Sequence, residues 1–138
     1  MERKTINFTI EGKPVAKQSV KFTRSGMRYI PKHITEYSNL VKSSFIQAHK
    51  DFKPLETPLK VRLYVAYEIP KSFSENKHFK ALIDEIRPTV KPDCDNVSKN
   101  ILDSLNGLAW LDDKQIVELS VYKAYEEKPF VDVEIIEV

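Results

Sequence analysis

The sequence predicts an α+β protein with a single domain over residues 1–138, in which helices pack in a second layer on one face of a mixed β-sheet. Three observations predict this class. Residues of alternating polarity mark strands at both ends and in the middle of the chain, and stretches of helical periodicity lie between them. The length of 138 residues with 41% hydrophobic composition suits one core, and no linker divides the chain.

The amino-terminal part is expected to form a strand, a hairpin and a helix. Ile6, Phe8 and Ile10 alternate with polar residues, as in a strand with one buried face. Residues 20–30 are expected to form a short hairpin around Ser25-Gly26. A helix should follow Pro31, because apolar residues then recur at steps of three and four: Ile34, Tyr37, Val41, Phe45 and Ala48.

The rest of the chain alternates strands with two helices. The clearest strand runs from Leu59 to Ile69, where every second residue is apolar. Ser74 is the expected N-cap of the next helix. Its predicted apolar face consists of Phe79, Leu82, Ile83 and Ile86. Another helix should begin near Asp95 and end before Gly107, which can adopt the left-handed conformation that closes a helix. Strands at about 115–125 and 130–137 complete the order β-(hairpin)-α-β-α-α-β-β.

The net charge of +2 hides two halves of opposite sign. Residues 1–54 contain 11 Lys and Arg against 4 Asp and Glu, whereas residues 55–138 contain 11 against 16. Such asymmetry can indicate a polyanionic partner. The segment Lys13–Lys32 has no acidic residue and carries six predicted DNA contacts: Lys13, Lys17, Lys21, Arg24, Arg28 and Lys32. The alternative is a solvated loop, and Phe22 and Tyr29 within it are candidates either for base stacking or for the core.

Composition excludes several classes of protein. No apolar run approaches the ~18–20 residues of a membrane span, and the first residues lack the apolar centre of a signal peptide. The single cysteine cannot form an internal disulfide and fits a reducing compartment, so we expect a cytoplasmic protein with no membrane contact. A secreted disulfide-rich protein, a collagen-like chain and a disordered tail are excluded.

Four aspartates are candidates for a common site. Asp93 and Asp95 lie two residues apart at the expected start of a helix, and a return of the chain after Asn106-Gly107 could bring Asp112 and Asp113 towards them. Three or four carboxylates without His or Cys form an all-oxygen ligand set. Such a set suits Mg²⁺, or Mn²⁺ as a substitute, better than Zn²⁺.

Ordinary structural roles are the alternative for the same residues. Asp95 could be a helix N-cap worth ~1 kcal/mol. Asp95, Lys99 and Asp103 follow one another at four-residue steps, and such i,i+4 ion pairs contribute ~0.2–0.5 kcal/mol each. Asp112-Asp113 could be a solvated turn.

The motif around these residues resembles the signature of a known family. The runs Lys91–Lys99, Asp103–Gly107 and Asp112–Ile116 closely resemble the pattern of the RusA family of Holliday junction resolvases. The resemblance is densest over about residues 88–125. The basic segment Lys13–Lys32 is also similar to the amino-terminal part of phage and prophage members.

The resemblance implies a small, homodimeric, Mg²⁺-dependent endonuclease that cuts four-way DNA junctions symmetrically. It implies that Asp93, Asp95 and Asp113 are catalytic and bind the metal, and that Lys99 is the catalytic lysine. Asp112 corresponds to the neighbouring acid, a further metal-ligand candidate, and Asn96 follows the second aspartate as in the family. Two cuts on opposing strands need two sites, which a two-fold dimer supplies. The number of metal ions stays open.

Two other functions remain as alternatives from the residues alone. One is a branched-DNA binding protein without catalysis, in which the acids cap helices. The other is a metal-dependent hydrolase acting on RNA or on a small phosphodiester.

Overall fold

The computed structural model describes residues 3–16 and 21–138, and Lys17 and Val20 therefore lie outside the described residues. It confirms the predicted α+β class. The elements are β1 (Thr5–Glu11), β2 (Lys21–Phe22), β3 (Arg28–Tyr29), α1 (Lys32–Ala48), β4 (Leu59–Glu68), α2 (Glu75–Leu82), α3 (Cys94–Leu105), β5 (Ile116–Glu126) and β6 (Phe130–Glu137).

The main sheet has the strand order β1-β6-β4-β5. β4 pairs in parallel with β5, whereas the β1–β6 and β4–β6 pairs are antiparallel, so the sheet is mixed as expected. β1 and β5 are its two edges. β2 and β3 form a separate two-stranded hairpin with Gly26 at φ +82° in its turn, which confirms the hairpin predicted around Ser25-Gly26.

The core lies between the sheet and the helices. The apolar face of β4 is buried from Leu59 to Tyr67, as its alternation predicts. α1 contacts β1 and α3, and Phe45 of α1 packs edge to face on Phe8 with the ring centroids 5.4 Å apart. The predicted apolar residues of α1 are buried, except Ala48.

The predicted apolar face of α2 is wrong for three of its four residues. Phe79, Leu82 and Ile83 are exposed, and Ala81 is the buried residue of this helix. Ile86, which follows the helix, is partly buried against the core as predicted. The reason is that α2 has only eight residues and packs mainly on the edge strand β5, so it covers little of the sheet. The predicted cap is confirmed, because the Ser74 side chain accepts a hydrogen bond from the Lys77 amide.

α3 begins one residue earlier than predicted. Its N-cap is Asp93, so the alternative that Asp95 caps the helix is wrong. The apolar stripe Val97, Ile101 and Leu105 is fully buried, and Gly107 has φ +80°, which confirms the left-handed residue after the helix. Among the described residues, no helix is both long and apolar enough to cross a membrane.

Candidate functional site

The first turns of α3 present charged side chains to solvent. Asp93 has the extended backbone of an N-cap, but its carboxylate makes no capping hydrogen bond to the helix. Asp95 and Lys99 are exposed one turn apart, while Val97 between them is fully buried. The buried stripe therefore fixes the helix, and the charged column points away from the core.

The segment that leads into α3 is held on the carboxyl-terminal ends of β4 and β5. The Tyr67 hydroxyl donates a 2.5 Å hydrogen bond to the Pro92 carbonyl, directly before Asp93. Lys123 Nζ donates to the Val90 carbonyl at 2.7 Å. Burial raises the pKa of Tyr67, and the neighbouring Cys94 and Asp93 raise it further, so the hydroxyl keeps its proton and remains a donor.

The second pair of aspartates lies in a clamped turn. Asp112 Oδ1 accepts a hydrogen bond from the Lys114 amide at 3.1 Å, and Gln115 Oε1 accepts one from the Asp112 amide at 2.9 Å, which together form a capping box. The fully buried Trp110 donates from Nε1 to Asp113 Oδ1 at 2.7 Å. Trp110 therefore anchors this turn.

These two pairs of aspartates lie towards opposite ends of α3. The chain returns tightly after the helix, since the Gly107 amide donates to the Trp110 carbonyl at 2.7 Å, and Trp110 holds Asp113 there. A helix of this length spans ~18 Å. In residues 3–16 and 21–138, no three His, Cys, Asp or Glu side chains gather closely enough to hold a metal ion.

The described chain therefore brings Asp93 and Asp95 together with Lys99, and separately Asp112 with Asp113. It does not bring the two sets together within one copy. A ligand set of Asp93, Asp95 and Asp113 stays a prediction.

The basic segment is partly described and is joined to α3. Lys13, Arg24, Arg28 and Lys32 are exposed. The carbonyl of Val15, within the segment, accepts a 3.0 Å hydrogen bond from Asn100 Nδ2.

Asn100 is a residue that sequence reasoning missed. It is nearly fully buried on α3. The sequence feature that could have indicated its role is its position directly beside Ile101 of the apolar stripe. Phe22 and Tyr29 are 64% and 48% exposed, so the alternative that they belong to the core is wrong.

A cleft of about 290 Å³ lies where the basic segment meets the start of the site. Its walls include Pro14, Tyr67 and Pro92, and Lys13 and Lys91 line it as well. Both lysines are exposed, which places two positive charges beside the residue that precedes Asp93.

The exposed carboxylates and lysine at the start of α3, next to a basic segment, are residue types that phosphodiester chemistry on a polyanion can use. The family described as Endodeoxyribonuclease RusA matches residues 11–136. Because this covers most of the chain, the protein belongs to the RusA family. Members of this family are endodeoxyribonucleases that act on Holliday junction DNA.

The protein is also similar to a Bacillus subtilis (strain 168) protein described as uncharacterized protein YqaN. The two are 36% identical over 141 residues, which cover 96% of each chain.

Proposed function

We propose that this protein is a Mg²⁺-dependent endonuclease that resolves four-way DNA junctions by paired, symmetric phosphodiester hydrolysis in recombination and repair. Membership of the RusA family supports a nuclease that acts on such junctions. The observation that carries the catalytic proposal is the exposed N-cap Asp93 followed by the exposed column of Asp95 and Lys99, on a helix fixed by its buried stripe. We further propose that it works as a homodimer, since two opposed strands require two sites.

The donor set fits a hard cation. Asp93 and Asp95 offer carboxylate oxygens, and Mg²⁺ is commonly held by one or two carboxylates with water as its other ligands. Asp112 and Asp113, the other predicted ligands, lie towards the opposite end of α3 in the same chain. The chemistry that Mg²⁺, or Mn²⁺ in its place, would supply between these carboxylates is a lower pKa for a water molecule and an offset of the charge on the leaving oxygen. The position of Asp93 as an N-cap whose carboxylate makes no bond to the helix suits a ligand, because the carboxylate is not needed to close the first turn.

Lys99 supplies the positive charge that a phosphate in hydrolysis requires. Its side chain is exposed one turn beyond Asp95, on the same column. An ammonium held there stabilises the negative charge that develops on the phosphate oxygens during attack. The amino terminus of α3 adds a partial positive charge in the same direction.

The basic segment would bind the DNA backbone. Exposed Lys13, Arg24, Arg28 and Lys32, together with Lys17 and Lys21, would neutralise phosphates and release counterions. The exposed rings of Phe22 and Tyr29 would stack on unpaired bases at the junction centre. The tie from Asn100 to Val15 keeps one end of this segment beside α3.

The test is incubation of end-labelled four-way junction, linear duplex and single strand with purified protein, with and without Mg²⁺. We expect paired nicks in the junction alone and only with the metal. Asp93→Asn should abolish cleavage and retain junction binding in a gel-shift assay, because the change removes a ligand charge from an exposed side chain.

Asp51→Asn is the matched control for this change. Asp51 is exposed and has φ +58°, a conformation that Asn tolerates well, so this variant should cut like the wild type. Junction binding without cleavage by the wild type would instead indicate a non-catalytic branched-DNA binding protein. Cleavage of RNA without preference for DNA would indicate a metal-dependent hydrolase that acts on RNA or on a small phosphodiester.

A further inference from the structure

The cleft beside the start of α3 is formed by several segments of the chain. Tyr67, near the carboxyl end of β4, pairs with Tyr125 of β5, and both residues line the cleft. Pro14 comes from the basic segment, and Pro92 from the segment that leads into α3. The volume of about 290 Å³ is close to the lower limit of ~300–1,000 Å³ for small-molecule sites, so the cleft suits one flat ring rather than a larger group.

The walls of this cleft are held in place by hydrogen bonds between segments. The Tyr67 hydroxyl donates to the Pro92 carbonyl on the side of α3. On the side of the basic segment, the Gly12 amide donates to the Pro129 carbonyl at 3.1 Å. A site whose walls are already fixed loses little conformational freedom when a ligand binds.

Proline and tyrosine rings give the cleft an apolar lining. Its four prolines are Pro14, Pro70, Pro92 and Pro129. A proline ring fixes its own backbone φ and has no amide donor, so these walls are stiff and offer ring faces rather than hydrogen bonds. Such a lining suits the flat face of a nucleobase.

Charged groups lie at the same cleft. Lys13 and Lys91 line it and are exposed, and Glu68 adds one exposed carboxylate. None of these three side chains forms an ion pair or a hydrogen bond with another residue in the described part of the chain. The cleft therefore offers two ammonium groups to an anion, and one carboxylate that accepts hydrogen bonds but donates none.

The cleft adjoins the residues proposed for catalysis. Pro92 in its wall directly precedes Asp93, and neighbouring Cα atoms are ~3.8 Å apart. Lys13 lies two residues before Val15, whose carbonyl is bound by Asn100 of α3. A DNA strand whose phosphate reaches Asp93 therefore brings the next nucleotide to this cleft.

We propose that this cleft binds one unpaired nucleotide of the junction, the one next to the phosphate that is cut. Its base lies between the proline and tyrosine walls, Lys13 and Lys91 hold its phosphate, and the Glu68 carboxylate selects a base with an exocyclic amino group. The inference rests on the proposed function for the position of the cut. The binding of an unpaired nucleotide rests on the cleft itself.

The carboxylate of Glu68 gives the cleft a means to distinguish bases. Because it only accepts hydrogen bonds, it pairs with the amino group of cytosine or adenine. Thymine and guanine present a carbonyl oxygen at the corresponding position, and this oxygen cannot donate to the carboxylate. The loss of one hydrogen bond to a charged group lowers affinity by ~10-fold or more.

A photochemical cross-link tests the cleft without any cleavage. Four-way junctions that carry 5-iododeoxycytidine at one central position each are bound to the wild-type protein without metal and irradiated. Mass spectrometry should find a cross-link from one position to a peptide of the cleft wall, residues 67–70 or 90–92. Cross-links that reach only the hairpin of Phe22 and Tyr29, or an equal yield from the same label in a linear duplex, would overturn the proposal.

The two lysines are tested by the yield of the same cross-link. Lys13→Ala with Lys91→Ala should lower the yield by ~10-fold at protein concentrations that bind all of the junction, because the phosphate loses its charged donors. Lys42→Ala with Lys50→Ala is the matched control, since both lysines are exposed and neither lines the cleft. An equal yield from the two double variants would contradict a phosphate held by Lys13 and Lys91.

Glu68→Gln tests the selection of the base. The wild type should bind a junction with cytosine at the cross-linked position ~10-fold more tightly than one with thymine there, measured by fluorescence anisotropy without metal. The glutamine amide both donates and accepts, so this ratio should fall towards one in the variant. Glu56→Gln, at an exposed position before β4, should keep the wild-type ratio. A wild-type ratio of one, or the same change in both variants, would overturn the role of Glu68.

These measurements separate the cleft from the proposed function. If the protein cuts no junction but the cross-link reaches the cleft, the proposed function fails and the nucleotide site stands. If the protein cuts junctions and no base is cross-linked to the cleft, the nucleotide site fails alone.

Discussion

The two ends of α3 each carry a pair of aspartates, and the two pairs are built in opposite ways. At the amino end, Asp93 and Asp95 are exposed, and Asp93 caps no amide of the helix. At the carboxyl end, Asp112 takes part in a capping box and Asp113 accepts a hydrogen bond from buried Trp110. The carboxylates of the carboxyl pair therefore stabilise the local structure through hydrogen bonds, whereas the Asp93 carboxylate does not cap its helix. A change at the amino end should affect chemistry alone, whereas a change at the carboxyl end should also affect stability.

The sharpest way to test this difference is Asp95→Asn. We expect cleavage of the junction to fall at least ~100-fold, which corresponds to ~2.7 kcal/mol in the barrier. The free energy of unfolding should change by no more than ~0.5 kcal/mol, because the side chain is exposed. Single-turnover cleavage and urea denaturation measure the two quantities. A large loss of stability would contradict the difference between the two ends.

Trp110→Phe tests the pair of aspartates at the carboxyl end of α3, where Trp110 holds Asp113. The change removes part of a fully buried ring and leaves Asp113 without its 2.7 Å donor, so unfolding should become easier by ~2–3 kcal/mol. Urea denaturation followed by circular dichroism measures this. Unchanged stability would mean that Trp110 does not anchor the turn.

The basic segment Lys13–Lys32 is tied to α3 by the hydrogen bond from Asn100 to the Val15 carbonyl. We expect this segment to contribute to the binding of DNA. The double change Arg24→Ala and Arg28→Ala should weaken junction binding by ~10-fold, or ~1.4 kcal/mol, and reduce the slope of log affinity against log salt by ~2. Lys42→Ala with Lys50→Ala, exposed on and just after α1, is the control. An unchanged salt slope would remove these arginines from the DNA contacts.

The smallest expected effect concerns the segment before α3. Tyr67→Phe removes the hydrogen bond to Pro92 and should cost ~1 kcal/mol of stability, with a modest loss of cleavage. Tyr37→Phe is the matched control, because the buried Tyr37 hydroxyl has no hydrogen-bond partner among the described residues. If both variants lose the same stability, the bond to Pro92 does not hold the segment.

The sequence predicted α3 well and the assembly of the acidic site poorly. The stripe of Val97, Ile101 and Leu105 repeats with helical period, so both the helix and the exposed column opposite it could be read from spacing alone. The expected approach of Asp113 to Asp93 could not be judged from spacing alone. It depends on where the chain goes after Gly107, and Trp110 holds the return at the far end of the helix.

Local residue patterns alone determined the strands of the sheet, the helix start and the charge of each face, because these depend on neighbours in the chain. The tertiary structure decided which polar residues hold the site in place. Tyr67 and Asn100 act through hydrogen bonds to segments 25 and 85 residues away in sequence. It also decided that β5 is an edge strand of the sheet. Strand order comes from long-range pairing, and no local pattern of residues records it.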